Sequence, residues 1–193
     1  MDRVEELHLV QAAQRGDSAA FETLYRENVQ RVFRYVYYRV NDRHLAEDLT
    51  GDVFTRALAS ISRYEDRGRP FIAWLYRIAN GRVIDHYRRV GRRPREHNVD
   101  LTPLPVQQDM DSALVRQQVA RVLRAAIAEL TAEQQQVIIL RFIEDKRIDE
   151  AAAIMGKNPN AIKALQHRAL RTLAARLQRA GFPIDDILAG LSS

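Results

Sequence analysis

The sequence predicts an all-α protein: two helical domains, an N-terminal helical bundle and a C-terminal helix-turn-helix domain, joined by a flexible linker. Three observations carry this reading. Apolar residues recur at three-to-four spacing from residue 4 to about residue 89, and strand-type alternation is nearly absent. Residues 90–111 then hold three prolines, one glycine and few large apolar side chains, the composition of a linker. Beyond them a second helical stretch ends in a short apolar helix, a glycine turn and a long basic helix. The expected division is residues 1–90, the first domain; 91–111, the linker; 112–180, the second domain; and 181–193, a short C-terminal tail.

In the first domain, Leu7, Val10 and Ala13 mark a helix that stops near Gly16 and Asp17. A second helix runs from about Ser18 to Val40, with Phe21, Leu24, Tyr25, Val32, Phe33, Val36 and Tyr37 at helical spacing. A third covers about 44–61. A polar loop, 62–70, separates it from a fourth, from Phe71 to about Arg89.

Helix resumes at Asp111 or Ser112. Thr131 and Gln134 have the spacing of a capping box ahead of the apolar run 137–142. An apolar-patterned segment then ends at Gly156, and a longer helix opens after a three-residue turn. Asn158 suits its N-cap, because the side chain can accept an orphan backbone N–H. Pro159 suits the first helical position, where no N–H is needed. In the tail, Ile184, Ile187, Leu188 and Leu191 fall on one side of a short amphipathic turn, suited to docking on its own domain or to meeting a partner.

At 193 residues and 46% apolar content the chain can build real cores. Its 30 basic residues exceed its 25 acidic ones, and 27 of the 30 are Arg. Arg binds phosphates and guanine edges with two parallel hydrogen bonds, so the bias fits a nucleic-acid partner. Codon usage in a GC-rich genome accounts for it equally well. The excess is concentrated: residues 1–90 hold 15 basic and 13 acidic residues, residues 112–180 hold 12 and 6. No cysteine is present, which excludes disulfides and thiolate metal sites. The five histidines form no paired ligand motif, and no cofactor is expected. No signal peptide is recognisable and no apolar run approaches membrane-spanning length, so a soluble, cytoplasmic protein is expected.

Three clusters are candidates for function. The long basic helix carries Lys163, Arg168, Arg171, Arg176 and Arg179 and no acid. Ile162, Ala169 and Leu173 are spaced to pack inward, which turns Asn160, Lys163, Ala164, His167, Arg168 and Arg171 outward. The second helix of a helix-turn-helix enters the DNA major groove by its N-terminal turns, so Asn160, Lys163, Ala164 and His167 are the best candidates for base edges. Arg168 and Arg171 reach bases or phosphates. Arg176 and Arg179 lie further along, toward phosphates or solvent. A solvated basic face on an ordinary helical hairpin is the plainer alternative.

The second cluster is the fourth helix. Phe71, Trp74, Leu75, Ile78 and Val83 form an apolar stripe, with Tyr76, Arg77, Arg82, Tyr87, Arg88 and Arg89 among them. Aromatic rings interleaved with Arg can stack on exposed bases while neutralising the strand's backbone. Trp74 at helical spacing reads more readily as core. Tyr64, on the loop, is less easily explained by packing. The third cluster is acidic: Glu47, Asp48 and Asp52, with Phe54 nearby. No nucleophile, oriented histidine or phosphate loop accompanies these carboxylates, so they form an exposed face, solvated or turned to a basic protein partner. No catalytic residue is expected.

These segments together resemble a bacterial RNA polymerase sigma factor of the extracytoplasmic-function (ECF) group. AEDLTGDVF (46–54) is similar to the family's polymerase-binding segment. FIAWLYRIANGRVIDHYRR (71–89) is similar to its promoter-melting and minus-ten segment, and residues 130–170 to its minus-thirty-five reading domain. The resemblance implies a non-enzymatic subunit that binds core RNA polymerase and promoter DNA, both duplex and non-template single strand, and an anti-sigma factor is a frequent further partner. Glu47, Asp48, Asp52 and Phe54 would form or support the surface gripping the polymerase clamp helices. Tyr64 and the loop 62–70 would capture a flipped base. Arg77, Gly81, Arg82, Arg88 and Arg89 would hold the minus-ten strand and adjoining duplex. Asn160, Lys163, Ala164, His167, Arg168 and Arg171 would read the upstream element, and the linker would thread the polymerase toward its RNA exit path.

Three positions depart from the family pattern. Gly51 stands where Gln is usual and Gly81 where Asn is usual. Ala164-Leu165-Gln166 replaces Ser-Arg-Leu, so Leu165 takes a packing role and one base-contacting Arg is lost. Two other readings compete with the sigma factor: a free-standing helix-turn-helix transcriptional regulator, and a helical adaptor with no DNA role. The regulator needs neither the acidic face nor the aromatic-basic helix. The adaptor would lack the steep salt dependence of Arg–phosphate binding.

Overall fold

The computed structural model describes residues 1–91 and 113–181, with side chains described from residue 119 onward in the second segment. The linker and tail expected over 91–111 and 181–193 lie outside the described residues, Gly91 and Gly181 excepted. Among the described residues there are eight α-helices and no strand. Four belong to the N-terminal unit: α1 (Arg3–Gln14), α2 (Ser18–Val40), α3 (Arg43–Ser60) and α4 (Phe71–Arg89), with a 3-10 turn, Ile61–Arg63, after α3. Four belong to the C-terminal unit: α5 (Ala113–Ala128), α6 (Ala132–Ile138), α7 (Ile148–Met155) and α8 (Pro159–Arg179), with a π turn, Ile139–Ile143, after α6.

Local chemistry fixes the helix ends. Asp17 caps α2 by accepting from the N–H groups of Ala19 and Ala20, and Asp42 caps α3 by accepting from Leu45. Pro70 opens α4 without a side-chain cap. The carboxylate of Glu6 on α1 substitutes, accepting from the N–H of Phe71 at 2.9 Å, and Arg3 pairs with it. Gln14 donates to the carbonyls of Ile61 and Tyr64, so α1 also anchors the start of the loop before α4. The N-terminal core is built on α2 and α4, where Leu24, Val32, Tyr35, Val36, Phe71, Leu75 and Tyr76 are fully buried. Arg39 is buried with them; its guanidinium donates to Tyr35 Oη at 3.1 Å and Asn80 Oδ1 at 3.0 Å.

In the C-terminal unit, Thr131 and Gln134 form both halves of the capping box, and Asn158 Oδ1 accepts from Ala161 N–H at 2.7 Å. Gly156 closes α7 at φ +64°, a left-handed conformation that a Cβ would strain. The apolar run 137–142 ahead of which that box lies is not one continuous α-helix. α6 ends at Ile138, and the backbone widens into the π turn, where Glu144 N–H bonds back to the carbonyl of Ile139 and Lys146 N–H to that of Leu140. Arg141 closes the detour by donating to the Lys146 carbonyl.

The two units pack together. α7 lies against α4, and both α5 and the π turn lie against α2. This contact sets the geometry of one of the candidate sites.

Candidate nucleic-acid interface

The outer face of α8 follows from its apolar spacing. Ile162, Leu165, Ala169 and Leu173 are buried, which leaves Asn160, Lys163, Ala164, His167, Arg168 and Arg171 exposed together. Leu165 packs inward, as its apolar side chain requires. α8 is held in register by two side-chain bonds, Arg141 Nε to Gln166 Oε1 at 2.9 Å and Gln134 Nε2 to Thr172 Oγ1 at 3.4 Å. Arg176 is not on the free face: it pairs with Glu129 at the end of α5. The structure thus presents one turn-anchored helix with cations spread along its exposed side.

The second site is a cleft of about 270 Å³ between the loop after α3, the first half of α4, and α7. Tyr64, Trp74, Arg67, Arg69 and Arg77 line it from the N-terminal unit, Ala153 and Ile154 from α7. Tyr64 sits edge-on to Phe71 at 5.6 Å and tilted on Trp74 at 4.9 Å. That ring contact explains a loop tyrosine that spacing alone leaves unassigned. Burial pushes the Tyr64 hydroxyl above its ordinary pKa, and the nearby Asp66 adds to the rise. Trp74 is partly buried: one side packs on Phe71 at 5.4 Å, the other walls the cleft. It is therefore both core and surface. Arg67 and Arg69 were not singled out from the sequence, although three Arg within 63–69 were a readable signal.

Along α4, Arg77, Gly81 and Arg88 fall on one side, because four and eleven residues are close to whole turns of a 3.6-residue helix. Arg77, Arg88 and Arg89 are exposed, and Gly81 has open space around it. Arg82 departs from the expected strand-binding set. It is 7% exposed, turned into the bundle, and paired with Asp85 at 3.4 Å. Five residues past Arg77, it falls toward the opposite side of the helix. Tyr76 likewise turns inward, fully buried.

The acidic cluster lies on α3. Glu47, Asp48 and Asp52 are exposed, Glu47 pairing with Arg43 at 2.9 Å and His44 at 3.7 Å. Phe54 is 5% exposed and meets Tyr25 edge-on at 4.7 Å, so it underlies this face without forming it. The exposed apolar parts there are Tyr25 and Leu58. Leu58 was missed: an apolar residue at helical spacing gives no sign that it faces out.

Among the described residues, no cluster of three or more His, Cys, Asp or Glu is placed to hold a metal ion. No helix among them is long and apolar enough to cross a membrane.

The described residues thus present an exposed basic face on α8, an exposed acidic face on α3, and an aromatic-basic cleft bounded by the loop before α4, α4 itself and α7. Comparison with known proteins supplies the family. Residues 24–93 match the family Sigma-70 region 2, and residues 120–173 match Sigma-70, region 4. The ECF RNA polymerase sigma factor BldN of Streptomyces coelicolor is 37% identical over 177 residues, covering 91% of this chain and 67% of that protein. The ECF RNA polymerase sigma factor ShbA of Streptomyces griseus is 31% identical, covering 86% of this chain and 92% of that protein. Among solved structures, CnrH in complex with the cytosolic domain of CnrY superposes with a TM-score of 0.70 at 25% identity, covering 91% of this chain and 98% of that one. RpoE of Bartonella quintana, solved with the anti-sigma factor NepR, shares the fold with a TM-score of 0.63 at 23% identity, over 82% of this chain and 96% of that one. The chain belongs to the ECF group of the sigma-70 family of RNA polymerase sigma factors. Its function is that of a sigma factor: promoter recognition and transcription initiation with core RNA polymerase.

Proposed function

We infer that the three surfaces divide the work of initiation. The exposed acidic side of α3, at Glu47, Asp48 and Asp52, meets the polymerase, with Phe54 holding that side from beneath. The cleft takes a base flipped from the non-template strand, with Tyr64 and Trp74 as ring walls and Arg67, Arg69 and Arg77 for the backbone. Unstacking a base costs a few kcal/mol, and aromatic walls offset that cost. Arg88 and Arg89 neutralise the adjoining duplex. Asn160, Lys163, Ala164, His167, Arg168 and Arg171 read the upstream element in the major groove. Residues 1–90 and 112–180 act as the two DNA-binding domains, with 91–111 running between them through the polymerase. The protein acts as a cytoplasmic, non-enzymatic subunit, and an anti-sigma factor is a fitting further partner.

The observation that carries this division is the joint exposure of Asn160, Lys163, Ala164, His167, Arg168 and Arg171 on α8, together with an aromatic-basic cleft between the loop before α4, α4 and α7. The test is run-off transcription with core polymerase and a promoter library. Specific transcripts should appear that depend on the chain, and substitutions in α8 should alter the preferred upstream sequence while substitutions in the cleft alter the minus-ten sequence. A chain that binds duplex DNA but neither co-elutes with core polymerase nor starts any transcript would instead be a free-standing regulator.

A further inference from the structure

The loop 64–70 brings Tyr64, Arg67 and Arg69 to the cleft, yet it does little to hold its own shape. Among the described residues, no backbone–backbone hydrogen bond ties 65–69 to one another or to the rest of the chain. The shape of such a segment is left to side chains and water. Within the loop, Arg67 pairs with Glu65 at 2.8 Å, and Asp66 Oδ1 accepts from Gly68 N–H at 2.9 Å, where the chain turns at φ +70°. From α7, the Ala153 carbonyl accepts from Arg69 at 3.2 Å. The other ties come from α1.

α1 is itself well fixed. Asp2 caps it, accepting from Glu5 N–H at 2.8 Å, and Val10 and Ala13 are buried. At its C-terminal end, Gln14 Nε2 donates to the Tyr64 carbonyl at 2.7 Å and to the Ile61 carbonyl at 3.1 Å. At its N-terminal end, the Arg3 guanidinium divides between two carboxylates, Nη1 to Glu6 and Nη2 to Asp66. The Glu6 oxygen that takes Arg3 also accepts from Phe71 N–H, where α4 begins. The Asp66 oxygen that takes Arg3 also accepts from Gly68 N–H. One planar fork therefore ties the turn of the loop to the first turn of α4, a bridge that suits Arg. Burial raises the pKa of the Tyr64 hydroxyl, and the charges of Asp66, Arg3 and Glu6 all act on it. The Tyr64 ring in turn lies 4.9 Å from Trp74 on the cleft wall. Neither Arg3 nor Gln14 lines the cleft, and α1 lies outside residues 24–93, the part matched by Sigma-70 region 2.

We propose that α1 is the template of the base-capturing loop: Arg3 and Gln14 are positioning residues that set which base the cleft accepts, without touching the strand. The inference rests on the reading of the cleft as the seat of a flipped base, and the experiment separates the two.

Variants are made in the full chain. Gln14→Met keeps the volume and removes both donors, Arg3→Gln removes the bridge, and Gln11→Met, exposed on the same helix, is the control. Trp74 is the chain's one tryptophan, so its emission reports on the Tyr64 ring beside it with no strand present. Anisotropy with labelled minus-ten single strands, carrying each base or an abasic site at each position in turn, gives base discrimination. Thermal melting and upstream-duplex affinity are measured alongside.

Gln14→Met and Arg3→Gln should each red-shift the Trp74 emission and raise its quenching by acrylamide. A loop that must become ordered on binding loses preorganisation, so preference for the best base should fall about threefold to tenfold. Affinity for the abasic strand should stay within about twofold, because Arg77, Arg88 and Arg89 hold the backbone from α4. Duplex affinity should not change, and Gln11→Met should behave as the parent. Unaltered Trp74 emission and quenching in both variants would overturn the template, and so would altered quenching with the parent's base preference. A uniform loss across base, abasic and duplex probes that tracks the melting temperature would overturn it too, since a weakened fold loses all three together. Altered quenching in variants of a parent that prefers no base would overturn the reading of the cleft and leave α1 as an anchor of the loop alone.

Discussion

Gly51 is the position where helix stability and polymerase contact can be separated. It lies inside α3, exposed, between Asp48 and Asp52, and a Cβ built there meets nothing within 4 Å. Glycine in a helix interior costs about 0.8–1.0 kcal/mol relative to alanine, through the backbone freedom lost on folding. With no steric term to oppose it, Gly51→Ala should stabilise the protein by about 1 kcal/mol. That gain raises the melting temperature by about 4–8 °C if the N-terminal unit melts alone, or about 2–4 °C if both units melt together. Thermal melting by far-UV circular dichroism distinguishes the two. Gly51→Gln should give a similar gain, since Gln is close to Ala in helix propensity. It also adds an amide to the acidic face. If that face meets polymerase, Gly51→Gln should bind core polymerase more tightly than Gly51→Ala at equal stability. A lower melting temperature for Gly51→Ala would refute the open-space argument. Equal polymerase affinity for the two variants would refute a contact at this position.

Arg168→Ala should weaken upstream-duplex binding by about 1–3 kcal/mol and relax its sequence preference if the guanidinium reads a base edge; anisotropy across a duplex library measures both, and unchanged affinity and preference would count against the assignment of α8. Trp74→Ala should lower both stability and promoter opening, because the ring packs on Phe71 and walls the cleft; a variant that loses stability but opens promoters normally would make Trp74 core alone. Asn158→Ala removes the cap bond to Ala161 and should cost about 1 kcal/mol, seen as a lower melting temperature, with no change if water replaces the cap.

The elements were legible because their signals are local. Asn158, Pro159, Thr131 and Gln134 act within one helical turn, and the structure places each in the predicted cap. The outward set on α8 follows from one helix's own apolar period. What stayed hidden depends on partners distant in sequence. Tyr76 reads as a member of a basic, aromatic face, and it turns inward because Glu144, 68 residues on, accepts its hydroxyl; Arg82 turns inward too, with Asp85 of its own helix beside it. Phe54 sits under its face because Tyr25 covers it. The π turn sits in an apolar run broken by Arg141 alone, where periodicity cannot mark a change of hydrogen-bond register. Glu144 reads as one more surface acid of a helical hairpin; Arg34, which donates to it at 2.6 Å, lies 110 residues away.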